Sequence, residues 1–190
     1  MVGHFILLNN YLNAGNKVDT AYMIFTPFSF MNNLDEIFTY HYFLKPFYNE
    51  EYISLFTETV KNQVHKIPYN YICRDPVILT SDWAPNFKSK DHRNYTFLSP
   101  VSVEYLSKIK DLSIKYNFKI ILLPTPTRSS NEKIIDKINK NEIVGTGLGN
   151  EFKKYFEIIM YINDTNFSDN VHLKHKEEYI DYYKNKLMKW

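Results

Sequence analysis

The hydrophobic positions in the first thirty residues predict one helix followed by one strand. Apolar side chains recur at helical spacing over residues 5–12, and Gly15 follows at the point where such a helix would end. The next apolar run, Thr20–Phe25, is short, rich in aromatic and aliphatic side chains, and bounded by Pro27. This length and composition favour a buried strand over a second helix.

The clearest pattern in the second half is a helix that runs directly into an apolar strand. Ser99 and Pro100 mark the helix start, because serine caps helices and proline suits their first turn. An amphipathic helix then reaches about Asn117, and residues 118–123 form an apolar run that Pro124 ends. A helix feeding a fully apolar strand is half of a strand–helix–strand crossover, so we expect a mostly parallel sheet covered on both faces.

The remaining patterns complete a single domain over residues 1–190. They predict a helix over 131–139, a strand over 156–162 and a closing helix over 173–187. The glycines at 145, 147 and 149 predict a flexible loop, since the Lys-Ser or Lys-Thr of a phosphate-binding loop does not follow them. Residues 67–98 have three prolines and no sustained period, which indicates a long irregular excursion. The predicted architecture is a three-layer α/β/α domain.

Composition and charge are those of one globular domain and argue against several classes of function. Of the 190 residues, 44% are hydrophobic and 23% are charged, which are ordinary globular values. The net charge of +2 gives no electrostatic case for a nucleic-acid partner or an anionic membrane surface. No apolar run reaches the ~20 residues of a membrane span. The first residues do not resemble a signal peptide, so the sequence leaves the compartment unassigned.

The candidate chemistry lies in the polar segment before the closing helix. In open α/β sheets ligands bind outside the carboxyl ends of the strands, and residues 166–173 would lie there. Asp169 precedes His172 by three residues, a spacing at which a turn lets the carboxylate accept a hydrogen bond from the imidazole. The other ring nitrogen could then deprotonate a hydroxyl nucleophile. The alternative is an ordinary loop in which Asp169 forms an Asx-turn or caps the following helix.

The same segment carries a family resemblance. The sequence FSDNVHLKHKEEYIDYYKNKL resembles the last conserved block of the SGNH (GDSL-type) hydrolases, where an Asp-x-x-His pair supplies two members of a Ser-His-Asp triad. YLSKIKDLSIKYNFKIILLPTPTR is similar to the preceding helix–strand unit of membrane-associated branches, which include proteins linked to O-acetylation of cell-surface polysaccharides and D-alanylation of teichoic acids.

The resemblance implies an SGNH-hydrolase-like fold and a role for each of the two residues. Asp169 would orient His172, and His172 would be the general base. The implied function is ester hydrolysis or O-acyl transfer on an acylated carbohydrate or other cell-envelope acceptor. The related branches work outside the cytoplasm.

The family's nucleophile block is not recognisable in this sequence. The superfamily serine follows the first strand in a Gly-Asp-Ser-like block, and neither Gly-Asp-Ser nor Gly-Ser occurs here. Without a nucleophilic serine, covalent acyl transfer of this type fails. The chain is therefore expected to be a domain lacking its first strand; the alternative function is a catalytically silent binding module or truncated remnant. A missing strand would expose a sheet edge and favour self-association.

Three further residues are candidates for parts of the missing machinery. Ser29, just beyond the first predicted strand, could replace the nucleophile, with a turn serine as the alternative. Asn32 or Asn33 could reach the site in place of the asparagine that helps the family form its oxyanion hole.

The sequence predicts no metal and no cofactor. His175 extends the pair to Asp169-x-x-His172-x-x-His175, a spacing that metals can use, but no third strong ligand accompanies it, so a surface histidine is favoured. The single cysteine, Cys73, rules out an internal disulfide and is interpreted as a structural thiol. Trp83 is an aromatic that faces substrate or packs a lid.

Overall fold

Helices and short parallel strands make up the fold of this computed structural model, which describes residues 1–31, 47, 49–66, 97–169, 172–180 and 184–185. The α-helices and strands are α1 (Val2–Asn13), β1 (Thr20–Phe25), α2 (Glu58–Lys66), α3 (Pro100–Tyr116), β2 (Lys119–Pro124), β3 (Thr127–Arg128), α4 (Glu132–Ile135), α5 (Gly149–Glu157) and β4 (Tyr161–Ile162). Short 3-10 helices connect them at Pro27–Met31, Ile53–Leu55, Ser129–Asn131, Lys140–Thr146, Asp164–Asn166 and Lys176–Tyr179. The predicted α/β class is confirmed.

The strands form two short parallel ladders. β1 pairs with β2 in a register that runs from Thr20 opposite Lys119 to Phe25 opposite Pro124. β3 pairs with β4, with Thr127 opposite Tyr161. Both ladders are parallel, so the predicted strand orientation is confirmed, as are the strands predicted at 20–25 and 118–123. β2 is buried along its apolar positions, whereas the outer face of β1 is exposed.

Local capping signals define α3 as the sequence predicts. The Ser99 side chain accepts a hydrogen bond from the backbone N–H of Ser102 at 3.1 Å, which satisfies one of the free donors of the first turn. Pro100 occupies the start of the helix, where its missing N–H costs nothing. Asn117 ends it in the left-handed conformation, with φ of 54°. The helix therefore delivers the chain directly into β2.

An aromatic cluster forms the centre of the core. Phe30 is fully buried, and its ring lies 5.0 to 5.5 Å from the four rings of Phe25, Phe97, Phe152 and Tyr155. The Tyr155 hydroxyl donates to the backbone oxygen of Phe25 at 2.9 Å. The cluster thus ties α5 to the carboxyl end of β1, the edge at which α/β proteins build their sites.

The segment around the three glycines differs from its prediction as a flexible loop. A 3-10 helix extends to Thr146, Gly147 turns the chain with φ of 67°, and Gly149 begins α5. The buried Thr146 hydroxyl donates to the Ile143 oxygen at 2.7 Å and accepts from the Leu148 N–H at 3.1 Å. Side-chain hydrogen bonds that the sequence pattern does not reveal therefore order this turn.

Three other element predictions are wrong in extent. The helix predicted over 131–139 is reduced to α4, after a single 3-10 turn. Of the strand predicted over 156–162, only Tyr161–Ile162 pairs, because residues 156 and 157 belong to α5, whose aromatic side chains enter the core at helical spacing. In the closing segment predicted as a helix over 173–187, Lys176–Tyr179 form a 3-10 helix, and the described residues Ile180, Lys184 and Asn185 are α-helical, so the α-helical part begins later than predicted.

Most of the predicted excursion lies outside the described residues. Phe97 and Leu98, at its end, are buried in the core and so belong to the packed domain. Cys73, Trp83 and the pair at 32–33 also lie outside the described part of the chain. Within the ranges given above, no helix combines the length and apolar character needed to cross a bilayer.

Candidate functional site

Two hydrogen bonds join Asp169 to His172. The Nδ1 atom of His172 lies 2.6 Å from Oδ2 of Asp169, and the backbone N–H of His172 donates to Oδ1 at 2.8 Å. The second contact is the Asx-type bond expected of an ordinary turn, so the turn and the side-chain pair occur together. With a carboxylate at Nδ1, the ring proton is favoured on that nitrogen and Nε2 becomes the basic one.

A short backbone bridge supports this pair. Phe167 and Leu173 form an isolated antiparallel β-bridge across the segment. Inside it, both the backbone N–H and the hydroxyl of Ser168 donate to the backbone oxygen of His172, at 2.8 and 3.0 Å. These contacts fix the main chain on both sides of the Asp169–His172 pair, and Phe167 anchors the segment by its burial.

The imidazole is accessible to solvent. The side chain of His172 is 75% exposed and that of Asp169 is 53% exposed. Water competes for the hydrogen bonds of an exposed pair, so the contact contributes little to stability. A molecule binding over His172 would displace that water and strengthen the interaction of the ring with Asp169.

A second carboxylate, Asp164, fastens the segment to the end of the neighbouring strand. Its Oδ2 lies 2.8 Å from a guanidinium nitrogen (Nη2) of Arg128. Its Oδ1 accepts from the Ser129 hydroxyl at 3.3 Å and from the backbone N–H of Ser130 at 3.1 Å. Hydrogen bonds from Ser130, assisted by Arg128, lower the pKa of Asp164 from 3.8 to about 2. No short motif links the members of this cluster, so the sequence alone does not reveal it.

We expect Asp164 to make stability depend on pH in the acid range. Because its folded pKa lies below the unfolded value of 3.8, its contribution is present above that pH and is lost as pH falls towards about 2. The free energy of unfolding in urea should therefore fall more between about pH 5 and pH 2 for the wild type than for Asp164→Asn. Asp136→Asn, at an exposed carboxylate, is the control. Parallel pH curves for wild type and Asp164→Asn would contradict the assignment.

Ser29 is held in a turn at the end of β1. Its backbone N–H donates to the Thr26 oxygen at 3.0 Å and lies 3.2 Å from the Thr26 hydroxyl. The two hydroxyls are also within 3.0 Å of each other. This arrangement is a self-contained Ser/Thr turn, which is the structural alternative considered for Ser29. Among the described residues no serine hydroxyl is hydrogen-bonded to the His172 ring.

The other site candidates are separate from this pair. His175 is exposed and follows Leu173 of the β-bridge in the sequence, outside the segment that holds Asp169 and His172. Across the described ranges, no three His, Cys, Asp or Glu side chains converge as a metal site would require. Among the described residues, the candidate site consists of Asp169 and His172 on a turn that Asp164 anchors.

Comparison with known proteins identifies no relative. No family model, no curated protein and no solved structure matches the chain.

Proposed function

We propose that this chain is an SGNH-hydrolase-like ester hydrolase or O-acyltransferase with His172 as its general base. Its substrate would be an acylated carbohydrate or another acylated cell-envelope component. The observation that carries the proposal is the 2.6 Å contact between His172 Nδ1 and Asp169 Oδ2. A carboxylate at this nitrogen orients the ring and stabilises the imidazolium that forms when Nε2 takes a proton.

The position of the pair in the fold supports the same proposal. β3 and β4 run parallel, so their carboxyl ends point the same way, and an ion pair joins Arg128, the last residue of β3, to Asp164, two residues beyond β4. Asp169 and His172 follow Asp164 within a few residues. Ligands of open α/β sheets bind at this edge. A three-layer SGNH-like arrangement lacking its first strand is the architecture we propose for the domain.

The chemistry follows from one proton transfer. Nε2 of His172 removes the proton from a hydroxyl, whose oxygen attacks the ester carbonyl to give a tetrahedral intermediate. When the intermediate collapses, the same nitrogen returns the proton to the departing alkoxide, and Asp169 stays ionised throughout. A serine hydroxyl gives an acyl-enzyme, water gives direct hydrolysis, and an acceptor hydroxyl gives direct transfer.

A catalytically silent binding module is the second candidate function. It is favoured by the exposure of the pair, 75% for His172 and 53% for Asp169. Water at such a surface reduces the electrostatic effect of the Asp169 carboxylate on the ring. It is also favoured by Ser29, whose hydroxyl is paired with Thr26. In this case the same turn would contact a glycan or protein without turning it over.

An ester assay separates the two functions. We expect the purified chain to hydrolyse p-nitrophenyl acetate, and intact-mass spectrometry of the quenched reaction to identify the route. A transient gain of one acetyl group on a serine indicates the acyl-enzyme route, whereas product without an adduct indicates direct attack by water. Release no faster than that of the His172→Ala protein would favour the binding module.

We further propose that the chain self-associates through the edge of β1. Among the described residues β1 pairs with β2 alone, and its Tyr22 and Ile24 side chains are 57% and 62% exposed. Thr20–Phe25 contains no charged residue and no proline, the devices that usually protect an edge from pairing with a second strand. The partner would be the same strand of a second copy.

We expect the wild-type mass measured by light scattering to rise with concentration. Tyr22→Lys or Ile24→Lys should return it to the monomer value, because an edge lysine opposes strand pairing. Ile114→Lys, at a residue 69% exposed on α3, is the matched control and should leave association unchanged. A monomer at every concentration would refute this proposal and leave the catalytic one untouched.

A further inference from the structure

A cavity of about 560 Å³, widely open to solvent, lies between the 3-10 helix Lys140–Thr146 and α5. Its volume falls within the roughly 300–1,000 Å³ typical of small-molecule sites. Neither Asp169 nor His172 lines it, so it is a separate site from the one described above.

The walls of the cavity are held in place by contacts to the core. Ile143 is buried, and its backbone oxygen accepts from the Thr146 hydroxyl at 2.7 Å. On the same 3-10 helix, a carboxylate oxygen of Glu142 accepts from the backbone N–H of Leu98 at 2.6 Å. The Glu142 bond ties this helix to the buried Leu98, and the Thr146 bond closes the last turn of the helix itself, so this wall is ordered before any ligand arrives.

The lining combines an apolar wall with cations. Ile143, Val144 and Phe156 supply the wall, and Val144 is 82% exposed, so its side chain is accessible to a ligand. The Lys140 ammonium lies 4.9 Å from the centroid of the Phe156 ring, so a positive charge sits against that wall.

The charge balance of the lining favours an anion. Lys140 and Lys153 contribute two positive charges and Glu157 one negative charge, which leaves the cavity net positive. Lys153 and Glu157 are both exposed and lie one turn apart on α5, so they occupy the same side of the mouth.

We propose that this cavity binds a small organic anion that has an apolar body, such as an aryl sulfonate or a medium-chain carboxylate. The apolar body would cover Val144 and Phe156, and the anionic group would lie near Lys140 and Lys153. Covering exposed apolar surface is favourable, and the lysines give the complex its orientation and its preference for negative charge. This binding does not depend on the proposed catalysis at His172.

The test uses 1-anilinonaphthalene-8-sulfonate as a fluorescent probe of the full chain. We expect saturable binding with one probe per chain, and displacement by octanoate but not by octyltrimethylammonium, which has an apolar tail and the opposite charge. Lys140→Glu and Lys153→Glu should each weaken binding by about tenfold, because each reverses a charge at the cavity. Lys17→Glu, at an exposed lysine outside the cavity lining, is the matched control and should bind as the wild type does.

Two results would overturn the proposal. One is equal weakening by Lys17→Glu and Lys153→Glu, which would show that the probe senses only overall charge. The other is displacement by octyltrimethylammonium as effective as that by octanoate. Lys153→Gln, a milder change at an exposed position, tests the site if a charge reversal disturbs folding, with near-ultraviolet circular dichroism as the check. We expect Lys153→Glu to hydrolyse p-nitrophenyl acetate as the wild type does, because the cavity lining includes neither Asp169 nor His172.

Discussion

His172→Ala is expected to lower ester turnover by about 10² to 10⁴-fold, the contribution typical of a general base. Asp169→Asn should cause a loss of the same order, because an amide cannot stabilise the imidazolium that forms during the reaction. His175→Ala, which removes a second exposed histidine three residues away, is the matched control and should retain wild-type turnover. The measurement is kcat/KM with p-nitrophenyl acetate for the four proteins.

Imidazole rescue distinguishes a chemical role of His172 from a structural one. The side chain is 75% exposed, so removing its ring leaves a site that free imidazole can reach from solvent. After subtraction of the rate in imidazole without protein, which itself hydrolyses this ester, we expect added imidazole to restore part of the turnover of His172→Ala and to have no such effect on Asp169→Asn, where the natural ring is still present. Wild-type turnover in His172→Ala would remove this residue from the mechanism.

Phe30→Ala is expected to produce the largest loss of stability, about 3–5 kcal/mol, as is usual for an aromatic residue deleted from a packed core. Phe30 has no exposed surface and contacts four other aromatic rings, so its removal leaves a cavity that the neighbours cannot fill without losing their own contacts. The free energy of unfolding in urea measures the effect.

A substitution at an exposed residue is the control for this prediction. Ile114 is 69% exposed on α3, and Ile114→Ala should change the free energy of unfolding by no more than about 0.5 kcal/mol. A loss in Phe30→Ala as small as that in Ile114→Ala would show that the aromatic cluster is not the centre of the core.

Elements with local start and stop signals were predictable from the sequence. Ser99 and Pro100 begin α3 through contacts within one turn, and Asn117 ends it by its own backbone conformation. Pro124 ends β2, and the length and composition of Thr20–Phe25 identify β1. In each case the information lies within a few residues, which is the range that periodicity and capping rules cover.

Elements that depend on distant partners were not predictable. The apolar run 156–162 fits a strand by composition, yet its first residues continue α5, whose Tyr155 hydroxyl bonds the Phe25 oxygen 130 positions away. The three glycines suggested a flexible loop because the hydrogen bonds of Thr146 cannot be read from spacing. A tertiary contact decided the first segment against the local pattern, whereas side-chain hydrogen bonds between residues two and three apart ordered the second.

The candidate site also has one part that is predictable from local sequence and one part that depends on distant residues. The contact between Asp169 and His172 spans three residues, so the sequence could predict it, and the structure has the two side chains hydrogen-bonded. The anchoring of their segment through Arg128 and Asp164 joins two strand ends that are far apart in the chain, and the sequence gives no sign of it. Asp164 is therefore known only from the fold.

The tautomer of the His172 ring tests the central proposal most directly. Long-range proton–nitrogen NMR of the neutral imidazole reports which ring nitrogen carries the proton. With Asp169 accepting at 2.6 Å, we predict a proton held on Nδ1 in the wild type and a shift of the population towards Nε2 in Asp169→Ala. A wild-type ring protonated mainly on Nε2, or a spectrum that Asp169→Ala leaves unchanged, would contradict it.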